Sequence, residues 1–177
     1  TAGLFRGDSR YHAAMEAQAS DATPYYRLRP DAVLLAVESI ALVPDGRLLP
    51  LNSYENRVYQ IGLDEADPVI AKFYRPGRWS DAQIGEEHAF ALELAAAEIP
   101  LIAPQVIGGR TLFHHEGFRF ALFPRQGGHA PELDDRETLQ WLGRFIGRIH
   151  VVGRGRPFTK RPALTPERFG DESIATI

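Results

Sequence analysis

A single lysine, Lys72, interrupts the apolar run Val69-Ile70-Ala71-Lys72-Phe73-Tyr74, and a glutamate, Glu87, follows in the next segment with helical character. The run is β-branched and aromatic, the pattern of a strand buried on at least one face. A cation in that setting needs a partner. Only Lys72 and Lys160 are lysines, against eighteen arginines. A chain that otherwise uses arginine has kept a compact point charge on a flexible stem at this place, which suits contact with phosphate. The bland alternative is a lysine on the solvent face of an edge strand.

The segment carrying Glu87 reads as a helix. Ser80 with Gln83 three residues on is a capping box, and Ile99-Pro100 closes the segment. With about 100° per residue, the mean direction of Ile84, Phe90, Leu92 and Leu94 falls roughly 15° from Glu87, whereas Glu86 points more than about 100° away. Glu87 is therefore expected on the packed face and Glu86 in solvent. A carboxylate on a packed face is costly unless it meets a cation, and the preceding strand offers Lys72. The alternative is a solvated helix glutamate.

Before the lysine strand lies Asn52-Ser53-Tyr54-Glu55-Asn56, a polar turn without glycine. Its backbone and side-chain amides could face phosphate oxygens, or it could be an ordinary hairpin turn. Strand, polar turn, strand, lysine strand and glutamate helix, in that order, is the layout that holds a nucleoside triphosphate in kinases.

Four stretches carry a closer likeness: LNSYENRVYQ (Leu51 to Gln60), KFYRPGRW (Lys72 to Trp79), EEHAFAL (Glu86 to Leu92) and GFRFALFP (Gly117 to Pro124). From about Tyr25 onward the chain resembles the bacterial stress response kinase A family, serine/threonine protein kinases whose fold is similar to that of aminoglycoside phosphotransferases and choline kinases. The resemblance implies an α+β, protein-kinase-like small lobe, a five-stranded antiparallel sheet with helices, followed by the beginning of a helical large lobe. It implies that Lys72 binds the ATP phosphates and Glu87 holds Lys72. The turn Asn52, Ser53, Tyr54, Glu55 and Asn56 would cover the phosphates, and the hinge from Phe123 through Arg125 would present backbone groups to the adenine edge. The implied cofactors are ATP and magnesium.

The positioning elements follow in chain order. Residues 1–24 read as a flexible extension, with a transient helix across Tyr11 to Ala19. A helix opens at Pro30, with Val33, Leu34, Val37 and Ile40 on one stripe, and Pro44-Asp45-Gly46 reads as the turn that ends it. Strands are expected over Arg47–Leu51, Arg57–Gly62 and Val69–Tyr74, with Asp64 to Pro68 as an acidic turn. Trp79 reads as a hydrophobic staple for the glutamate helix. Two further strands, Thr111–His115 and Phe118–Phe123, turn at Glu116-Gly117. His114 and His115 point to opposite faces and are not expected to share a metal. The lobe 25–124 then gives way to 125–177. There a helix capped by Asp134 and Glu137 is expected to carry the seam Leu139, Leu142, Phe145, Ile146 and Ile149. Gly143 and Gly147 would admit another helix, His150 would cap the last carbonyls, and Gly153 would end the helix.

Composition narrows the classes. The 177 residues are 44% hydrophobic with net charge −3, so no global basic field suggests nucleic acid or an anionic membrane. The absence of cysteine excludes disulfides, thiol catalysis and thiolate metal sites. No run is long enough to span a bilayer. A monomeric cytosolic protein is the expectation. Phosphoryl transfer also needs a carboxylate for the hydroxyl proton, and Asn and Asp for magnesium. In the resembled family these come from a His-Gly-Asp segment and later residues. Neither His150-Val-Val-Gly nor Phe169-Gly170-Asp171 matches that order, so the catalytic Asp and the metal ligands are expected beyond Ile177 and the fragment alone should transfer nothing. Three alternatives stay open: a small-molecule phosphotransferase, a non-catalytic regulatory module, or an acidic-partner binder using Arg154, Arg156, Arg161 and Arg168.

Overall fold

The computed structural model describes residues 24–167 and residue 174, so the Tyr11 to Ala19 helix, Arg168 and Asp171 lie outside the described residues. The chain divides into two compact units. One holds the described residues up to Trp79 together with Pro104–Gly127, and the other holds Ser80–Ala103 with those from Gly128 onward.

The first unit opens with α1, Pro30–Glu38, which has proline in its first turn and Asp31 beside it. Proline there loses no intrahelical hydrogen bond, and the acid complements the helix dipole. Five strands follow: β1 Pro44–Leu51, β2 Arg57–Leu63, β3 Ala66–Tyr74, β4 Phe113–His115 and β5 Phe118–Pro124. They form one sheet in the order β1-β2-β3-β5-β4, with every neighbouring pair antiparallel. Val33, Ala36 and Val37 of α1 share a buried cluster with Ile61, Val69, Ala71, Phe73, Phe113, Phe120 and Leu122. Leu34 and Ile40 pack against that cluster, so the expected stripe is the helix's core face.

Three boundaries differ from the sequence reading. Pro44-Asp45-Gly46 does not end the helix, which stops at Ser39; it lies inside β1 as an irregularity between Pro44↔Leu63 and Leu48↔Ile61. On the other side of β2, Asp67 and Pro68 together stand against Gly62, since Ile61 pairs with Val69 and Leu63 with Ala66. Pro68 therefore belongs to β3, at a bulge where its missing N–H breaks no ladder bond. A Cβ on Gly62 would lie 2.3 Å from an Asp45 carboxylate oxygen, so both irregularities close around this one glycine. Finally, β4 begins at Phe113 rather than Thr111, because Ile107 and Arg110 bridge each other around Gly108 and Gly109. The Glu116-Gly117 turn is as expected, with φ of 47° and 84°, the double positive φ of a tight hairpin.

The second unit contains α2, Asp81–Ala96, and α3, Arg136–Gly155. Both bonds of the Ser80–Gln83 capping box are made. At its other end Glu98 sits at φ 55°, with its N–H on the Ala95 carbonyl and the Ile99 N–H on Leu94. This is the left-handed closure that glycine ordinarily supplies. Glu98 is exposed, so Glu98→Gly removes about 1–2 kcal/mol of steric cost against a smaller entropic loss. The expected outcome is a gain of about 0.5–1 kcal/mol in a urea melt.

Asp135, not Asp134 or Glu137, caps α3, accepting the Thr138 N–H at 2.8 Å. The helix also runs through Gly153 to Gly155, since an interior glycine weakens a helix by about 1 kcal/mol without ending it. His150 is therefore exposed and inside the helix, not at its last carbonyls. Nothing approaches where a Cβ on Gly143 or Gly147 would be, whereas one on Gly153 would stand 3.5 Å from the Phe90 ring of α2. No α3 residue is buried; Leu139, Trp141 and Ile146 are about half exposed.

Candidate functional site

Alternation along β3 sends Val69, Ala71 and Phe73 into the core and turns Ile70, Lys72 and Tyr74 to the opposite face. Lys72 is not on an edge. It is half-buried on the middle strand, across from Val58 of β2 and Ala121 of β5. Its Nζ lies 4.6 Å from the centre of the Tyr74 ring, a cation over an aromatic face.

The other expected residues of the first unit are arranged around it. Leu51, the last residue of β1, pairs with Val58, so Asn52 to Asn56 leave the sheet at the end of the row Leu51–Val58–Lys72–Ala121. Phe123 stands two residues along β5 from Ala121, on the face that Lys72 shares, and it pairs with Ile70. Arg125 comes next on that side, and its Nε donates to Gln60 Oε1 at 3.0 Å. Lys72 thus has the polar turn toward one end of its strand and the Phe123–Arg125 segment toward the other.

The turn itself is tied down by one contact of its own and by residues that sequence reasoning did not assign to it. Ser53 Oγ donates to the Asn56 carbonyl at 2.6 Å. Trp79 Nε1 donates to Glu55 Oε1 at 3.0 Å, and the Arg78 guanidinium lies 3.5 Å from the same carboxylate. The Tyr25 hydroxyl donates to the Glu55 carbonyl at 2.9 Å and also lies 3.4 Å from that of Phe73. Asn56 Oδ1 accepts the Arg75 N–H at 3.4 Å. Tyr54 stands fully exposed at the tip. Glu55 and Asn56 are therefore anchors toward the Arg75–Trp79 segment, and the indole of Trp79 works through its N–H. Such contacts, made across 30 residues between Tyr25 and Glu55, leave no local pattern to read.

Burial pushes the Tyr25 phenol up to about 12, against the opposing pull of Arg57 and Arg75. Folding thus retains a proton between pH 10.0 and about 12. The stability contributed by the neutral phenol is complete below that window and is lost as pH rises through it. Tyr25→Phe is expected to flatten this alkaline slope and to cost about 1 kcal/mol at neutral pH, as read by urea melts over a pH series.

Glu87 belongs to the second unit, on α2. It is half-buried and forms an ion pair with the Arg161 guanidinium. Its neighbour Glu86 is half-buried too and does not look into solvent as expected. Glu86 accepts the backbone N–H groups of Thr159, Lys160 and Arg161 at 2.6, 3.0 and 2.8 Å. Burial acts to raise its carboxyl, but those N–H groups outweigh that and hold it below the usual range. The averaging over large apolar side chains missed this because the covering segment lies 73 to 75 residues away. It also missed His88, which is only 2% exposed. Arg154 and Arg156 remain exposed. Among the described residues no cluster of His, Asp and Glu is built to hold a metal.

Compared with known proteins, residues 47–172 match the phosphotransferase enzyme family, APH. The chain belongs to that family. Among curated relatives, the serine/threonine protein kinase RdoA of Salmonella typhimurium is 45% identical over 144 residues, which are 81% of this chain and 44% of the relative. Stress response kinase A of Escherichia coli K12 is 43% identical over 145 residues, 82% of this chain and 44% of that protein. The family likeness read from the four stretches is thus shown, and the chain spans less than half the length of these relatives. Its fold is shared with the amicoumacin kinase hAmiN, solved with AMP-PNP, Ca2+ and Ami, at TM-score 0.63 and 18% identity over 77% of this chain and 44% of that one. A microcompartment-associated aminopropanol kinase matches at TM-score 0.57 and 20% identity, covering 77% and 46%. Sheet, helices and neighbours agree on the kinase-like small lobe.

Proposed function

We propose that the protein is an ATP-dependent kinase that phosphorylates serine or threonine hydroxyls of proteins in a bacterial stress response. In this reading residues 25–124 form its nucleotide lobe and residues 125–177 the start of its second lobe. The observation that carries the reading is Lys72. A half-buried lysine on the middle strand, on the sheet face bounded by the 52–56 turn and by Phe123, is placed as a phosphate-binding cation would be.

ATP supplies the phosphoryl group that is transferred. Lys72 Nζ meets its phosphate oxygens, Glu87 holds Lys72, and the N–H groups of Asn52 to Asn56 cover the phosphates. The segment from Phe123 to Arg125 offers backbone groups to the base. The carboxylate that takes the hydroxyl proton, and the Asn and Asp that would hold magnesium, are assigned to the remaining length seen in the relatives. This chain alone would bind ATP weakly and transfer nothing. No described helix is long and apolar enough to cross a membrane. The reading takes the enzyme to be a cytoplasmic monomer.

A small-molecule acceptor is the second reading, favoured by the amicoumacin and aminopropanol kinases that share the fold. Those likenesses stand at 18% and 20% identity, against 43–45% to the stress response kinases. The test gives the full-length protein γ-labelled ATP with magnesium, offering a generic protein acceptor in one arm and a panel of amino alcohols and aminoglycosides in the other. Label on serine or threonine of the protein supports the first reading, and label only on a small molecule replaces it with the second. Absence of transfer in both arms removes the kinase reading.

A further inference from the structure

Beside the 52–56 turn the two faces of the sheet differ in what they carry. Val58 and Lys72 pair across β2 and β3 on one face. The next pair along, Arg57↔Phe73, belongs to the other, because Phe73 lies in the core that α1 shares. The Arg57 guanidinium accordingly stands 4.8 Å from the centre of the Tyr25 ring, which stacks on Phe118 and packs against that core. Arg75 follows Phe73 two residues later, just past the end of β3, and acts on the Tyr25 phenol alongside Arg57. The Arg78 guanidinium lies 3.5 Å from the Glu55 carboxylate and 5.0 Å from the centre of the Trp79 ring. Three arginines thus gather about Tyr25 and the Glu55–Asn56 end of the turn.

Their charge is only partly met. Glu55 pairs with Arg78, and among the described residues no Asp or Glu ion-pairs with Arg57 or Arg75. All three arginines are exposed. Three guanidiniums against one carboxylate leave an excess of two positive charges, in a chain whose net charge is −3. Like charges held together repel unless an anion meets them. A phosphate monoester brings about −1.5 to −2 charge at pH 7 and three acceptor oxygens, which suits an excess of two charges on arginine forks. A carboxylate brings one charge and two oxygens. The ring under Arg57, and the ring and carboxylate beside Arg78, already hold two of the forks, so less freedom is lost when an anion arrives.

On so open a surface a lone phosphate ion gains little against its hydration, whereas a chain that carries the phosphate adds contacts on either side. Basic clusters that hold anionic bilayers run to about four to eight residues, more than are gathered here. We propose that Arg57, Arg75 and Arg78 form a docking site for a phosphoserine or phosphothreonine of a protein segment, built on the Tyr25 side of the 52–56 turn. The site is distinct from the Lys72 face and goes beyond the kinase reading.

The test uses the full-length protein carrying Lys72→Met, so that the lysine assigned to ATP takes no part, and contains no nucleotide. Fluorescence anisotropy follows a labelled peptide with one phosphoserine and the same peptide with serine or glutamate in its place. The phosphoserine peptide is expected to bind about tenfold tighter or more than the other two. Arg57→Gln and Arg75→Gln should each remove about tenfold, and Arg57→Lys should recover only part, because an ammonium does not replace the fork. Arg75→Gln leaves the Arg57–Tyr25 contact in place, so it carries the test should Arg57→Gln lower Tm too far to fold. Arg110→Gln, at an exposed arginine of the same unit beside the Ile107 bridge, should change binding by less than about twofold. Inorganic phosphate should compete only at far higher concentration than the peptide.

Equal binding of the three peptides overturns the proposal, as does full binding in the folded Arg57→Gln and Arg75→Gln variants or an equal loss from Arg110→Gln. Competition by inorganic phosphate at the peptide's own concentration overturns it in favour of the free ion. Vesicles of anionic lipid that bind better than the phosphopeptide, through the same arginines, overturn it in favour of a membrane surface. Since no phosphoryl transfer is measured, each of these results stands whether or not the kinase reading does.

Discussion

Lys72→Met is expected to lower kcat/KM for ATP in the full-length protein by about 10²–10³-fold, the usual loss when one preorganised electrostatic donor is removed. The fold should survive the change. Lys72 is on the sheet face turned away from the α1 core, and methionine keeps most of its length and its contact with the Tyr74 ring. What disappears is the charge. Lys72→Arg should rescue poorly, because a planar fork does not replace a point charge at the same reach. Far-ultraviolet circular dichroism and Tm report the fold, and initial rates over a range of ATP concentrations report the loss. A variant that is folded and fully active would remove Lys72 from the phosphate site.

Phe120→Ala should be the most damaging single truncation in the first unit, costing about 3–5 kcal/mol. Phe120 has no solvent exposure, stacks on Phe73 with centres 5.3 Å apart and lies 5.5 Å from Phe113. It therefore joins the middle strand to the short β4 edge, and the surrounding strands cannot collapse into the space it would leave. With roughly 2–4 °C per kcal/mol for a chain of this size, Tm should fall by about 10 °C. Phe123→Ala, on the other face and only half-buried, is the comparison. It should cost clearly less stability, and in the full-length protein it should weaken ATP binding. Equal losses of stability at the two positions would mean that the face bearing Lys72 is packed as tightly as the core.

The features legible in the sequence were those written in neighbouring residues. Pro30 with Asp31, the Ser80–Gln83 box, the Glu116-Gly117 turn and the alternation around Lys72 each occupy a few positions and constrain the backbone directly. The illegible features are made by partners far apart in the chain. Asp45-Gly46 reads as a turn until β2 places Gly62 beside it, and Trp79 reads as a staple until the 52–56 turn brings Glu55 to its N–H. The site divided the same way. Lys72 and Glu87 stood out because a charge in an apolar pattern is a local anomaly, whereas Arg161 looked like one of several tail arginines. The fold pairs it with the Glu87 carboxylate of α2.

The irregular first strand bears on how the protein behaves at high concentration. β1 and β4 are the outer strands of the sheet, the places where a foreign strand could add. On β1, Pro44 and Pro50 offer no N–H, and the three residues Asp45 to Arg47 stand against Gly62 alone, so the outward row of donors and acceptors loses its even spacing. On the opposite side β4 is three residues long, and past it the Gln105 N–H already occupies the Leu122 carbonyl at 2.7 Å. Neither border gives an incoming chain a long regular template, so the lobe is guarded against fibre-like stacking by the same glycine and prolines that disturb its register.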